Sequence, residues 1–196
     1  KAKFRKKIEI IGNGSHIKKN IYIKNKFKKS IIFFGNINSL ANRTACYDFV
    51  NNVIPNLKKI DPEIKFKILG NCSFLLKIYF SLKKVKCYPN IKKLSDYSKD
   101  ALAGICNVKI QSGLQNKILD YTSHGIPAII NPESNNFKFF SNKDVLIYKN
   151  DNSLLKYLSK LKEDLKFRSN ISKNCHRKTK KYYNWNKILK KYKSII

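Results

Sequence analysis

Apolar runs and helical-period segments alternate along most of this chain. The runs SIIFFGN (30–36), IKFKILGN (64–71), VKCYP (85–89), DALAGICNV (100–108) and IPAIINP (126–132) carry Gly, Asn or Pro within their last two residues. Apolar runs closed by turn residues predict strands buried on both faces. NKDVLIYKN (142–150) reads as a further strand, and IEII (8–11), closed by the turn GNGS, as a short first one. Between the strands, ANRTACYDFVNNVIPNLKKI (41–60) sets Ala45, Phe49, Val53, Leu57 and Ile60 at helical spacing. CSFLLKIYFSLKK (72–84), IKKLSDYSK (91–99) and SGLQNKILDYTSHG (112–125) read as helices too. From Asn152 onward the period is helical, with breaks expected near Asp164 and Tyr183.

Strands alternating with helices predict an α/β fold: a doubly wound, Rossmann-like parallel sheet followed by C-terminal helices. The expected organisation is a strand and connection over residues 1–29, a core over 30–150, and helices over 151–196 that pack on that core. In such sheets ligands sit beyond the carboxyl ends of the strands, where helix N-termini point. Those ends are Gly35-Asn36, Gly70-Asn71, Tyr88-Pro89, Asn107 to Gly113, and Asn131.

Charge changes the picture next. Lys+Arg number 42 against 12 Asp+Glu, a formal net charge of +30. Such a field attracts polyanions, acidic membrane surfaces and phosphorylated small molecules alike. Nearly all of it is lysine, which reads phosphate and base edges less well than the arginine fork. Lys, Asn and Ile dominate together, as AT-rich coding alone would produce. The aromatics lie within apolar runs and no nucleic-acid-binding sequence pattern is present, which argues against nucleic acid as the partner.

The five cysteines are scattered without zinc-ligand spacing, so no metal site is read from them and a reducing, cytoplasmic setting is expected. No apolar run approaches the roughly 18 residues of a membrane span, and Lys1 to Lys7 does not lead into a signal-peptide core. The chain contains no methionine and is expected to be part of a longer one.

The stretch GLQNKILDYTSHGIPAII (113–130) resembles the donor-site helix of glycosyltransferase family 4, retaining enzymes of the GT-B fold. Gly113, Leu114, Gln115, Asn116, Lys117, Ile118, Leu119, Asp120, Gly125, Pro127, Ile129 and Ile130 carry the likeness. The segment from Ile31 to Asn71 is similar to the first β-α-β unit of that family's C-terminal domain. IEIIGNGSH resembles the lead into that domain, and YYNWNKIL the start of its last helix. The resemblance covers nearly the whole chain and implies the C-terminal, donor-binding half of a GT-B enzyme.

It also implies roles. Backbone N–H groups at Gly113, Leu114 and Gln115 would cradle the diphosphate of a nucleotide sugar, helped by the partial positive charge at a helix N-terminus. Asp120 would accept hydrogen bonds from the ribose diol. Gly35 and Asn36 end the first strand beside the phosphates. Arg43 and Lys109 are the candidate diphosphate cations. Ser112 would join the diphosphate-binding set and stands where the family often has a sugar-binding glutamate. Tyr88, Pro89 and Asn90 form the loop nearest the base.

Plainer readings accompany these. Gly113 would serve as a helix-start residue alone, Asp120 would be a solvated acid, and Lys117, one turn ahead, would be its i,i+3 partner or a support for the site. Trp185 would anchor the last helix. The function implied is donor binding in a retaining glycosyltransferase of polysaccharide or glycan synthesis, inactive as this half alone. No cofactor or metal is expected. The acceptor would be a glycan or lipid-linked sugar met by a missing N-terminal domain, and lysines would hold the protein at an anionic membrane face. Alternatives are a GT-B-like nucleotide-sugar epimerase, or a basic domain that binds nucleic acid or anionic surfaces without catalysis.

Overall fold

The computed structural model describes residues 12–19, 21, 29–91, 93–110, 115–135 and 140–193. Among them six strands form one parallel sheet: β1 (Ser30–Phe34), β2 (Lys65–Leu69), β3 (Lys86–Tyr88), β4 (Ala101–Cys106), β5 (Ala128–Ile130) and β6 (Leu146–Ile147). Their order is β3-β2-β1-β4-β5-β6, the doubly wound arrangement read from the sequence. The chain moves outward from β1 in one direction and from β4 in the other. Right-handed crossovers therefore lay the intervening helices on opposite faces. β1 and β4 are almost wholly buried, as their unbroken apolar sequences require.

The helices are α1 (Leu40–Asp48), α2 (Ile54–Ile60), α3 (Phe74–Leu82), α4 (Ser95–Ser98), α5 (Asn116–Ser123), α6 (Asp151–Glu163), α7 (Leu165–Tyr182) and α8 (Trp185–Lys193). The expected breaks near Asp164 and Tyr183 are the junctions of α6, α7 and α8. Asp164 caps α7 through a hydrogen bond from Phe167 N–H at 2.8 Å, and Asn150 caps α6 in a capping box with Ser153.

Four expectations are corrected. The segment read as one helix over 41–60 passes from α1 to α2 through a π turn, Phe49–Val53. Pro55 cannot donate to the carbonyl of Asn51, and its ring would press on that carbonyl in a regular α-helix; the wider turn relieves this. Ile60, expected inside, is 56% exposed. The helix read over 91–99 is the single turn α4, and the strand read over 142–150 pairs only at Leu146 and Ile147, against Ile129 and Ile130. The strand IEII lies outside the described residues.

Gly14 packs so tightly on the indole of Trp185 that a Cβ there would stand 2.7 Å from the ring. Ser15 N–H donates to Tyr183 O at 2.6 Å and Lys18 N–H to Ser123 O at 3.2 Å. Trp185 thus secures α8 to the GNGS turn, and Lys18, just beyond that turn, ties the segment to the end of α5.

Candidate functional site

The hydrogen-bond ladder between β1 and β4 ends at Ile32 and Gly104. Beyond it the two strands part, and Tyr121 of α5 fills the gap. Its hydroxyl accepts from Phe34 N–H at 2.7 Å and donates to Ile105 O at 3.2 Å, so a buried donor and acceptor remain satisfied where the sheet opens. Gly104 makes room for the ring: a Cβ at that position would overlap Tyr121. Tyr121 is fully buried, and burial pushes its phenol well above the usual range. The residue fixes α5 over the opening.

Into that opening run the starts of α1 and α5. Gly35 ends β1 at φ +152°, a conformation that side chains rarely adopt. A Cβ on Gly35 would come within 3.0 Å of Asn42 Nδ2 and 3.6 Å of Lys117 Cε, so glycine here also admits those two side chains. The following loop is tied down by Ser39 Oγ and Asn42 Nδ2, which donate to Asn36 O at 3.0 and 2.9 Å. The result is a cavity of about 450 Å³, lined chiefly by Gly35, Ser39, Asn42, Gln115, Lys117 and Asp120. That volume suits a small-molecule ligand.

Lys117 is the main charged group. It is 7% exposed, and burial lowers its pKa from 10.5. Nζ donates to Asn42 Oδ1 at 2.6 Å and Gln115 Oε1 at 3.3 Å, and lies 4.8 Å above the Phe33 ring. An ammonium has three donors, so one remains for a ligand. Among the described residues no carboxylate pairs with it. The i,i+3 pairing with Asp120 does not form: Lys117 turns toward α1. Asp120 also lines the cavity. Burial raises its carboxyl to about 6, and no side chain among the described residues donates to it. A buried cation without an anion and a half-buried carboxylate without a side-chain donor face one cavity.

The expected site residues are only partly gathered there. Gly35, Gln115, Lys117 and Asp120 meet; Asn36 supports them through its carbonyl. Ser112, Gly113 and Leu114 lie outside the described residues; α5 runs from Asn116 with Gln115 as its N-cap. Arg43 does not line the cavity. Lys109 is 69% exposed at its side chain and pairs with Asp48 at 3.7 Å. Tyr88 ends β3, the edge strand, Pro89 and Asn90 follow it, and none of the three lines the cavity.

Sequence reading gave no site role to Asn42, Ser39 or Asn116. Asn42 was detectable from helical phase: it sits in the first turn of α1, and Arg43 points about 100° away from it. Asn116 Oδ1 accepts from Asn13 Nδ2 at 2.8 Å, which brings the GNGS turn to the start of α5.

A sheet that opens at its switch point beneath two helix N-termini is where doubly wound α/β domains hold their ligands, and here that opening carries a lone ammonium and a lone carboxylate. Residues 43–194 match the family described as Glycosyl transferase-like, and the chain belongs to that family. No curated protein matches it. The fold is similar to that of TarM from S. aureus (TM-score 0.71, 14% identity, 95% of this chain and 37% of that one). It is also similar to the pneumococcal O-GlcNAc transferase GtfA in complex with UDP and GlcNAc (0.69, 14%, 93% and 38%). The C-terminal domain of the group 1 glycosyl transferase LpcC from Francisella tularensis is covered over 96% of its length, with 87% of this chain, TM-score 0.64 and 16% identity. The chain thus has the GT-B C-terminal fold and spans well under half of the longer transferases.

Proposed function

We propose that this domain binds the nucleoside diphosphate of a nucleotide sugar, as the donor half of a retaining glycosyltransferase. The observation that carries this reading is Lys117: a buried ammonium with a spare N–H, held by Asn42 and Gln115 at the mouth of the switch-point cavity. A desolvated cation of this kind gains most from an anion brought into the cavity. A diphosphate between Lys117 and the first turn of α5 would meet both the ammonium and the helix dipole. Asp120, one turn further along α5 and on the same cavity, would accept from the ribose diol, which would supply the two donors its carboxylate lacks. That one structure of similar fold holds UDP and GlcNAc supports the choice of ligand.

In transfer, the leaving diphosphate gains negative charge as the glycosidic bond breaks. Lys117 and the α5 N-terminus would stabilise that charge, the catalytic share of this half. Acceptor binding would fall to a second domain, and polysaccharide or glycan synthesis is the role proposed for the whole protein. Ligand-observed NMR with UDP, GDP and ADP tests the reading. Saturable binding of one of them, lost in Lys117→Met and Asp120→Ala, is the expected result. Binding of none, or binding that ignores both variants, would overturn it.

A further inference from the structure

Helix α3 carries an apolar stripe that nothing among the described residues covers. Phe74 is 75% exposed, Leu75 76%, Ile78 43% and Leu82 79%. At about 100° per residue these four fall within roughly one quarter to one third of the helix circumference. Leu76 and Phe80, on the opposite side, are the residues α3 buries against the sheet. Single exposed apolar residues are ordinary, but four on one nine-residue helix are a patch.

The surroundings are one-signed. From Ile64 to Ser95 the sequence has eight lysines and no Asp or Glu. Lys83, Lys84 and Lys86 are exposed at the end of the stripe, beside Leu82. They lie on β3, the outer edge of the sheet, and on the turn before it. A second copy of a chain with formal charge +30 would bring like charge against like. An acidic surface with an apolar layer beneath it satisfies both features.

We infer that the α3–β3 edge docks on an anionic lipid bilayer, with Phe74, Leu75, Ile78 and Leu82 in the acyl boundary and Lys83, Lys84 and Lys86 on the headgroups. This is the pattern of an interfacial helix: apolar face down, lysines at its margin. No helix among the described residues is long and apolar enough to cross a membrane, so attachment would be peripheral. The nucleotide cavity takes no part in it.

The test is co-sedimentation of the chain with vesicles of phosphatidylcholine alone and of equal phosphatidylcholine and phosphatidylglycerol, at 150 mM salt. Three double variants are compared: Phe74→Glu/Leu82→Glu, Lys83→Glu/Lys86→Glu, and Lys166→Glu/Lys173→Glu on α7 as a charge-matched control. All these positions are exposed, and unchanged melting curves would confirm folding. Binding to the anionic vesicles that falls about tenfold or more in the first two variants, and less than about threefold in the control, is expected. Equal binding to neutral vesicles would overturn the inference, as would equal losses in all three variants, which would mean diffuse attraction to lysine. A dimer that Phe74→Glu/Leu82→Glu dissolves, without vesicle binding, would assign the stripe to a second copy instead.

Discussion

Replacing Lys117 by Met separates two effects that usually travel together. In the ligand-free protein the ammonium is held out of water by Phe33 and the start of α5, with two neutral amide oxygens as its partners. Its pKa is depressed below 10.5 by that burial. A lysine with a depressed folded pKa makes folding less favourable at every pH below that value, a penalty relieved as pH rises from it toward 10.5. Met keeps the unbranched chain as far as Cε and drops the charged Nζ, so the ligand-free fold should melt at the same temperature or higher near neutral pH. With a diphosphate bound the sign reverses. A charged hydrogen bond contributes about 1.5–3 kcal/mol, which is roughly a ten- to 150-fold loss of affinity in the variant. Calorimetric titration with the nucleoside diphosphate that the NMR screen selects, and with its parent nucleoside, measures both. The nucleoside carries no phosphate and should bind wild type and Lys117→Met alike. Equal losses for nucleoside and diphosphate would refute the assignment, and so would an unchanged diphosphate affinity or a melting temperature that falls by more than about 5 °C.

Asp120, raised to about 6, should make nucleotide affinity fall as pH drops through 6, and Asp120→Asn should flatten that dependence in a titration series from pH 5 to 8. Because the folded carboxyl sits above its usual 3.8, its ionisation destabilises the fold as pH rises from about 4 to 6; Asp120→Asn should therefore melt higher than wild type at pH 7.5 and equally at pH 3.5. Tyr121→Phe orphans Phe34 N–H and Ile105 C=O and should cost about 1–3 kcal/mol in urea denaturation. Gly104→Ala should cost more, and much of that cost should vanish in the Tyr121→Leu background, since the added methyl would clash with the ring. Arg43→Ala and Lys109→Ala, both off the cavity, should each change diphosphate affinity by less than about threefold in the same titration.

The apolar runs announced β1 to β5 within a residue or two, because burial on both faces leaves no other sequence for a central strand. β6 shrank to two paired residues, Leu146 and Ile147, with one further bond from Tyr148 N–H to Ile130 O at 3.0 Å; Asp144 and Lys149, further out on either side, are polar. That Gly35, Gln115 and Asp120 would line one cavity was legible in outline. Lys117 was assigned a partner on its own helix because spacing rules see only one helix at a time; its actual partner, Asn42, comes from a helix 75 residues away. Tyr121 could not be recognised as the bridge across the opening, since its role depends on where β1 and β4 part. Exposure on α3 was equally hidden. Its sequence is apolar nearly all round, and only the position of the helix at the edge of the sheet decides which side is left uncovered.

The π turn between α1 and α2 bears on how this domain can change. A helix that gains one residue ordinarily swings everything after it by about 100°. Here the surplus is held in one loosened turn, with Asn51 and Asn52 facing solvent and Phe49, Val50, Val53, Ile54 and Leu57 still packed inside. Asn42 lies upstream of that slack, so the cavity wall does not register it. Length in this part of the chain can drift by a residue, in either direction, while the grip on Lys117 stays where it is.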